Sequence, residues 1–319
     1  LRVTSLLTTS TGTGDSGSLA YCINRHNSLG GPSTIVFDTS GTLNLAGAAL
    51  PTITQPLLTI AAHTAPAPGF QLRGRILIKA SDVYVAHLCA RYGSTALASD
   101  TFEMSGGNTA AGEIRRLVMD HCLAQWGNDE TFSLVNYERE LTFSNCIIAE
   151  GSGVQGGLGH QLNSLCPSGT DQIMFYGCLF HTGYARNPRI LGANNAIVNC
   201  VIYNWVNRCV DWARINEVVP ITTPQYLSLV GNSFFDGPSN SGVLPVTSAQ
   251  AIAQGGGIYF SDNRWIKAAT TVTTKASMVA VDNSIATEVT PTYWPTGLIA
   301  DTSANAYSTI VSKAGPCPA

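Results

Sequence analysis

Six rows of this chain can be laid over one another on a single pattern, and that repetition restricts the fold more than any other feature. Each row is an apolar strand, a polar residue, a small residue and a second apolar pair. The polar column reads His121, Asn145, Gly177, Asn199, Asn232, Asn263. The column beside it reads Cys122, Cys146, Cys178, Cys200, Ser233, Arg264, and the third reads Leu123, Ile147, Leu179, Val201, Phe234, Trp265. The strands that open the rows start upstream with Leu57-Leu58-Thr59-Ile60 and Val83-Tyr84-Val85. They continue through Leu117-Val118-Met119, Leu141-Thr142-Phe143, Ile173-Met174-Phe175, Ala196-Ile197-Val198, Leu227-Ser228-Leu229-Val230 and Ile258-Tyr259-Phe260. Their spacing of about 22 to 34 residues falls in the range of coil-type repeats.

Columns of like residues are what an all-β, single-stranded right-handed parallel β-helix produces. Each coil supplies short strands, and like residues stack at the parallel-strand spacing of about 4.8 Å. Asparagines collect at the bends, where their amides satisfy buried backbone groups. A doubly wound α/β fold is excluded, because no 10–15 residue helical pattern separates the strands. The expected organisation is one domain: a cap at 1–33, coils at 34–267 and a C-terminal coil and tail at 268–319 packed outside. Within the cap, Asp15 or Ser16 would start a short amphipathic helix through Leu19 to Ile23. Long inserts at Thr95–Gly112, Gly151–Thr170 and Val206–Thr223 read as loops, and loops on rigid scaffolds carry function.

Nine cysteines cannot all pair. The four in the second column read as small buried hydrophobes. Cys166 and Cys209 fall in two of the inserts, where a bridge between them is possible. An elongated solenoid keeps Cys22 from Cys317.

Charged residues are only 12% of the chain, and Gly, Ser, Thr and Asn fill their place, which suits a secreted, extracellular β protein. A net charge of -3 offers no basic field for nucleic acid or anionic membrane. No apolar run reaches the roughly 18 residues of a membrane helix, and no signal core stands at the start. The start at Leu1 fits a processed or trimmed product. A solenoid with covered ends is expected to be a monomer.

Against so few charges, Asp100, Asp120, Asp129, Glu130 and Glu150 stand out, all on or beside neighbouring rows. Carboxylates stacked in consecutive coils repel unless a cation lies between them. Ca²⁺, with 6–8 oxygen ligands at about 2.3–2.6 Å, suits such a cluster. The bland reading is that some are solvated or cap turns. Arg186-Asn187-Pro188-Arg189 holds two guanidiniums on a stiff segment, because Pro188 fixes its own φ and restricts Asn187. Guanidiniums match sugar carboxylates through bidentate bonds. A salt bridge to a neighbouring acid is the alternative.

The stretch Met119-Asp120-His121-Cys122-Leu123-Ala124-Gln125-Trp126-Gly127-Asn128-Asp129-Glu130 resembles the pectate lyase family of parallel β-helix polysaccharide lyases (polysaccharide lyase family one), in the branch with Asp-His-Cys-Ser-x-x-Trp-x-x-Asp-Glu. The resemblance extends upstream to Leu58–Pro66 and Asp82–Leu88. Downstream it covers Ile147–Glu150, Ala185–Ile190 and Ile197–Asn204, so in all it spans about Leu1 to Gly237. It implies β-elimination on a 1,4-linked galacturonan, with calcium bridging the substrate carboxylate and the enzyme's acids. The arginine of the family's Arg-x-Pro motif, which takes the C5 proton, maps to Arg186, and the substrate-binding arginine maps to Arg189. An arginine base runs against a pKa above 12 unless nearby cations destabilise its charge. The other role for Arg186 is stabilising the enolate.

The chain departs from that branch at Gly151–Gln161, which is short, lacks lysine and keeps one histidine, His160. His160 is the candidate stand-in as a substrate contact. Two further readings remain. One is a non-catalytic carbohydrate-binding β-helix of a coat, phage tail or cell surface. The other is a β-helix glycoside hydrolase, which needs two carboxyl groups about 5–9.5 Å apart, such as Asp120 and Asp129.

Overall fold

The structure is a computed structural model, and it describes residues 1–8, 16–93, 99–153, 160–212, 223–240, 242–247, 256–268, 270–280, 290–291 and 293–316. The chain winds through three faces in turn, and nearly every strand pairs in parallel with the strand one coil away. The first face is a ten-stranded sheet that starts with Arg2–Val3 and ends with Gly256–Ser261. Its register joins Leu58, Val83, Leu117, Leu141, Ile173, Asn195, Leu227 and Ile258 into one column. The rows legible in the sequence are therefore the strands of this face. The remaining strands form the other two faces, which run together at the long strand Phe70–Ile78. The single antiparallel pair among the described residues joins Arg264–Lys267 to Thr270–Val272.

The third face contains the main departure from the sequence reading. Each insert expected to be a loop carries one of its strands: Phe102–Ser105, Leu162–Cys166 and Val210–Trp212. These strands have polar residues at buried positions, among them Asn163, Ser164 and Asp211, so they lack the apolar alternation that marks a strand. Cys166 is therefore in a strand and Cys209 at the entry to one. Both are free thiols and no bridge joins them. Cys317 lies outside the described residues.

The interior is filled by side chains from all three faces, with Phe143 and Phe175 at one register position of the first, Phe132 on the third and Phe180 on the second. Phe143 and Phe175 stack with ring centroids 5.1 Å apart, Phe132 meets Phe143 at 4.5 Å, and Phe180 meets Phe175 at 5.2 Å. Such aromatic pairs contribute about 0.5–1.5 kcal/mol each beyond their burial.

The turn from the first face to the second places one residue per coil in the left-handed region. His87, His121, Asn145, Gly177, Asn199, Gly231 and Asp262 all have φ between 47° and 67°. This corrects the last two rows of the sequence alignment by one residue. Gly231 and Asp262 hold the turn, so Asn232 and Asn263 fall in the cysteine column. The hydrogen bonds say the same. The thiols of Cys122, Cys146, Cys178 and Cys200 donate to the carbonyls of Val85, Met119, Phe143 and Phe175 at 3.2–3.5 Å. Asn232 and Asn263 donate their amides to the next two carbonyls of that column, Ile197 and Leu229, at 2.8 Å. Position in the turn, not residue type, defines the column.

The N-terminal helix is Leu19–Leu29. Its N-cap is Ser18, whose hydroxyl accepts from Tyr21 N–H at 3.0 Å, so the expected cap at Ser16 moves two residues on; Asp15 lies outside the described residues. Leu19 and Ile23 face the core. At the other end, Ser303–Lys313 is a helix laid back along the coils. Ser233 donates to Ser303 C=O at 2.6 Å, Asn199 to Asp301 C=O at 2.7 Å, and Gly315 N–H to Asn145 C=O at 2.7 Å.

Candidate active site

A tight corner joins the second face to the third. The chain leaves the strand Leu123–Gln125 and turns through Trp126-Gly127-Asn128-Asp129 into the strand Glu130–Val135. Gly127 makes this possible, since a Cβ there would lie 1.9 Å from Glu130 C=O. Ser99 C=O accepts from Asn128 N–H at 2.9 Å and fixes the corner against the coil below.

Asp100, Asp129 and Glu130 meet here, with one carboxylate oxygen from each within 4.8 Å of the others. Asp100 is buried. It accepts from Glu130 N–H at 2.8 Å and from the Ser133 hydroxyl. Loss of solvent pushes its pKa up to about 7, with Asp129 adding to the rise and the Ser133 hydrogen bond opposing it. Asp129 is open to solvent, and His160 Nδ1 stands 3.2 Å from its Oδ1. Glu130 is buried and forms an ion pair with Arg186.

Arg186 reaches Glu130 from two coils away. Glu130 pairs with Leu162, and Leu162 bridges to Ala185. Arg186 itself is left-handed, with φ 61°, and the Asn187–Pro188 bond is cis. Buried amides pin the segment: Asn163 donates to Asn187 at 2.7 Å, and Asn187 donates to Arg208 C=O at 3.0 Å. Asn163 went unnoticed in the sequence, where nothing distinguishes it from a turn residue, and Asn187 was read only as the residue that Pro188 restricts.

The structure thus assembles Asp100, Asp129, Glu130, His160 and Arg186, and leaves three expected site residues apart. Asp120 lies at the other end of the strand Leu123–Gln125, on the corner between the first and second faces, beside His121. It therefore faces a different corner from Asp129. Glu150 shares the site's corner but holds Gln125 and the Trp126 indole, at 3.1 and 3.0 Å. Arg189 is buried in the third face, where Asp211, its register partner, stands 3.9 Å away and also takes Arg208 at 3.1 Å. The acid facing Arg189 was not foreseen, because Asp211 lies in an insert read as a loop. Residues 154–159 of the departing segment lie outside the described residues.

A parallel β-helix that carries three carboxylates and an arginine on one corner defines the class to which this chain belongs. No family model matches it. The sequence is 29% identical over 187 residues to a probable pectate lyase C of Aspergillus terreus, covering 58% of this chain and 40% of that protein. It is 30% identical over 188 residues to the probable pectate lyase C of Neosartorya fischeri, with the same coverage. The chain thus spans about two fifths of the length of the curated relatives it matches. Among solved structures, it shares its fold with the major allergen from cedar pollen (TM-score 0.65, 13% identity, 98% of this chain and 88% of that one). It also shares it with pectate lyase C from Erwinia chrysanthemi (TM-score 0.58, 14% identity, 98% and 92%). A pectate lyase from Bacillus sp. N165, solved with trigalacturonate, matches at TM-score 0.54 and 12% identity over 89% and 85%. The chain is thus similar in sequence to curated pectate lyases over 58% of its length and shares the fold of solved pectate lyases.

Proposed function

We propose that this chain is a secreted, monomeric polysaccharide lyase that cleaves a 1,4-linked uronic-acid polysaccharide by calcium-assisted β-elimination at the Asp129–Arg186 corner. In this reading the whole chain is one right-handed solenoid, with the helix Leu19–Leu29 as its cap. The observation that carries it is the convergence of three carboxylates on a single point beside Arg186. A relative solved with trigalacturonate and another solved in 30 mM Ca²⁺ support the substrate class and the ion. No helix among the described residues is long and apolar enough to cross a membrane.

The residues present fit calcium. Their donors are hard carboxylate oxygens, which suit Ca²⁺, and the raised pKa of Asp100 shows the repulsion and desolvation that a cation would relieve. Asp100, Asp129 and Glu130 would hold it. Glu150 and Asp120 are engaged elsewhere and are left out of the proposed set. When bound, calcium neutralises the substrate carboxylate and makes the C5 proton beside it more acidic.

The chain's own groups then act on the sugar. Arg186 faces the reacting carboxylate and carries the chemistry. Glu130 beside it favours the charged guanidinium, so in this arrangement Arg186 stabilises the enolate that forms as the proton leaves. Only release from Glu130 would let it act as a base. His160, next to Asp129, contacts the substrate. Arg189 is too buried to bind sugar directly and positions the Arg186 segment through Asp211. The glycoside hydrolase reading loses its acid pair, since Asp120 and Asp129 occupy different corners.

The test is an ultraviolet assay for unsaturated uronides on several uronans, with and without Ca²⁺. Product that appears only with calcium and disappears in Arg186→Ala supports the proposal. Saccharide binding without any ultraviolet product would overturn it.

A further inference from the structure

The other corner of the same coils holds a second cluster. His87, His121 and Asp120 each offer one ligand atom within 4.8 Å of the others. The imidazoles of His87 and His121 lie parallel, with centroids 4.8 Å apart and planes at 8°. His63 follows one coil further on, 5.4 Å from His87 and edge-on to it. Asp120 spends Oδ1 on the Ser144 hydroxyl and the Asn145 amide, at 2.7 and 3.1 Å. Its Oδ2 points to His121 Nδ1 at 2.9 Å. His87 Nδ1 is shielded from solvent yet has no hydrogen-bond partner. His63 and His87 also line an open cavity of about 420 Å³, closed on one side by Ala314–Pro316 of the returning tail.

We infer that His87, His121 and Asp120, with His63 in reach as a fourth donor, form a binding site for a borderline divalent transition metal of the Zn²⁺ class. Two or three imidazoles with one carboxylate are the donors that Zn²⁺, Ni²⁺ and Cu²⁺ prefer, whereas Ca²⁺ needs more oxygens. Asp120 is already held by two hydrogen bonds, as ligating carboxylates are. Parallel rings do not aim their lone pairs at one point. Binding therefore requires the imidazoles to turn about χ2, a torsion with broad minima. The cavity gives the ion and its water a route in. This inference does not depend on the uronan reading, since it concerns a different corner.

The competing explanation is that the histidines merely continue the turn column. Asparagine fills that column at Asn145 and Asn199 with the same left-handed backbone, so His87→Asn and His121→Asn keep the turn and remove the ligands. The experiment is a calorimetric titration of Zn²⁺ into the chelator-stripped full chain, with Ca²⁺ present to occupy oxygen sites. Co²⁺ absorption serves as a second readout. The expected result is one equivalent of Zn²⁺, weakened about tenfold or more in either Asn variant and in Asp120→Asn, with a tetrahedral Co²⁺ spectrum that those variants lose. Circular dichroism would verify that each variant is folded. Zn²⁺ bound equally well by His87→Asn, or absence of saturable binding to the native chain, overturns the inference. A loss in His160→Asn as large as in His87→Asn would also overturn it, by moving the ion to the other corner.

Discussion

The guanidinium of Arg186 and the carboxylate of Glu130 form an ion pair across two coils of the solenoid. One proposed reacting group is thus held by one proposed calcium ligand. Removing either should lower the rate, and removing Glu130 should also change the calcium dependence. Arg186→Ala is expected to lower kcat about 10²–10⁴-fold with little change in the calcium needed for half-maximal rate. Glu130→Gln is expected to raise that calcium concentration about tenfold or more as well as lowering the rate. Initial rates of uronide release against Ca²⁺ would check both. Equal calcium curves for Glu130→Gln and the native chain would remove Glu130 from the ion site.

Arg189 and Asp211 are a different kind of pair, with both side chains buried. Removing Asp211 takes the buried acid from two guanidiniums, Arg189 and Arg208, a loss of about 3–5 kcal/mol. Asp211→Ala is therefore expected to lose unfolding free energy of that order, read from the urea midpoint and slope. Arg189→Ala is expected to lose stability before it loses affinity, since its guanidinium lies within the third face. A stable Arg189→Ala variant with only a raised KM would instead identify Arg189 as a direct substrate contact.

The cysteine column makes its own prediction. Burial pushes the thiols of Cys122, Cys146 and Cys178 well up, so a disulfide reagent should leave them unmodified in the native chain and label them on unfolding. Cys89, partly open on the second face, is the described thiol expected to react first. In the same column, Asn232→Ala strips Ile197 C=O and Cys200 N–H of their partner, at a cost of about 1–3 kcal/mol. Thiol counting with and without denaturant, and urea unfolding of Asn232→Ala, check these outcomes.

How much of this was legible follows from which positions are apolar. The first face announced itself because Leu117-Val118-Met119, Leu141-Thr142-Phe143 and Ile173-Met174-Phe175 recur as short apolar runs between polar stretches. The thiol ladder was legible because four cysteines recur at one offset. The slip at Asn232 and Asn263 arose because asparagine serves both at the turn, as Asn145 does, and inside the column, and sequence alone does not separate those positions. The third face stayed hidden because its buried residues include Asn163, Ser164, Asp211 and Arg189, polar residues that break the apolar pattern by which a strand is read. The same blindness governed the site. Asp129, Glu130 and Arg186 could be named from their motifs, but the separation of Asp120 from Asp129 depends on the strand Leu123–Gln125 carrying the chain from one corner to the next.

Glu138 carries the pH prediction. Its side chain is fully buried, and one oxygen accepts from Gly106 N–H at 2.7 Å and Val135 N–H at 3.2 Å. Burial raises its pKa well above the ordinary 4.5; Glu113 and Glu103 add to the rise, and the two backbone hydrogen bonds oppose it. The folded chain therefore keeps this proton to higher pH than the unfolded chain does. Its contribution to stability is full below about pH 4.5 and declines as pH rises through the folded value, by at most about 1.4 kcal/mol per pH unit. Asp100, raised to about 7, adds a slope of the same sign below that pH. Asp82, lowered by its hydrogen bond to Arg116, acts with the opposite sign only below its ordinary 3.8. Glu138→Gln cannot ionise and preserves the acceptor to both backbone groups. The native chain is expected to lose stability from pH 5 to pH 8, and Glu138→Gln to lose distinctly less. Urea midpoints across that range would decide it, and parallel curves for the two proteins would show that Glu138 does not hold its proton in the fold.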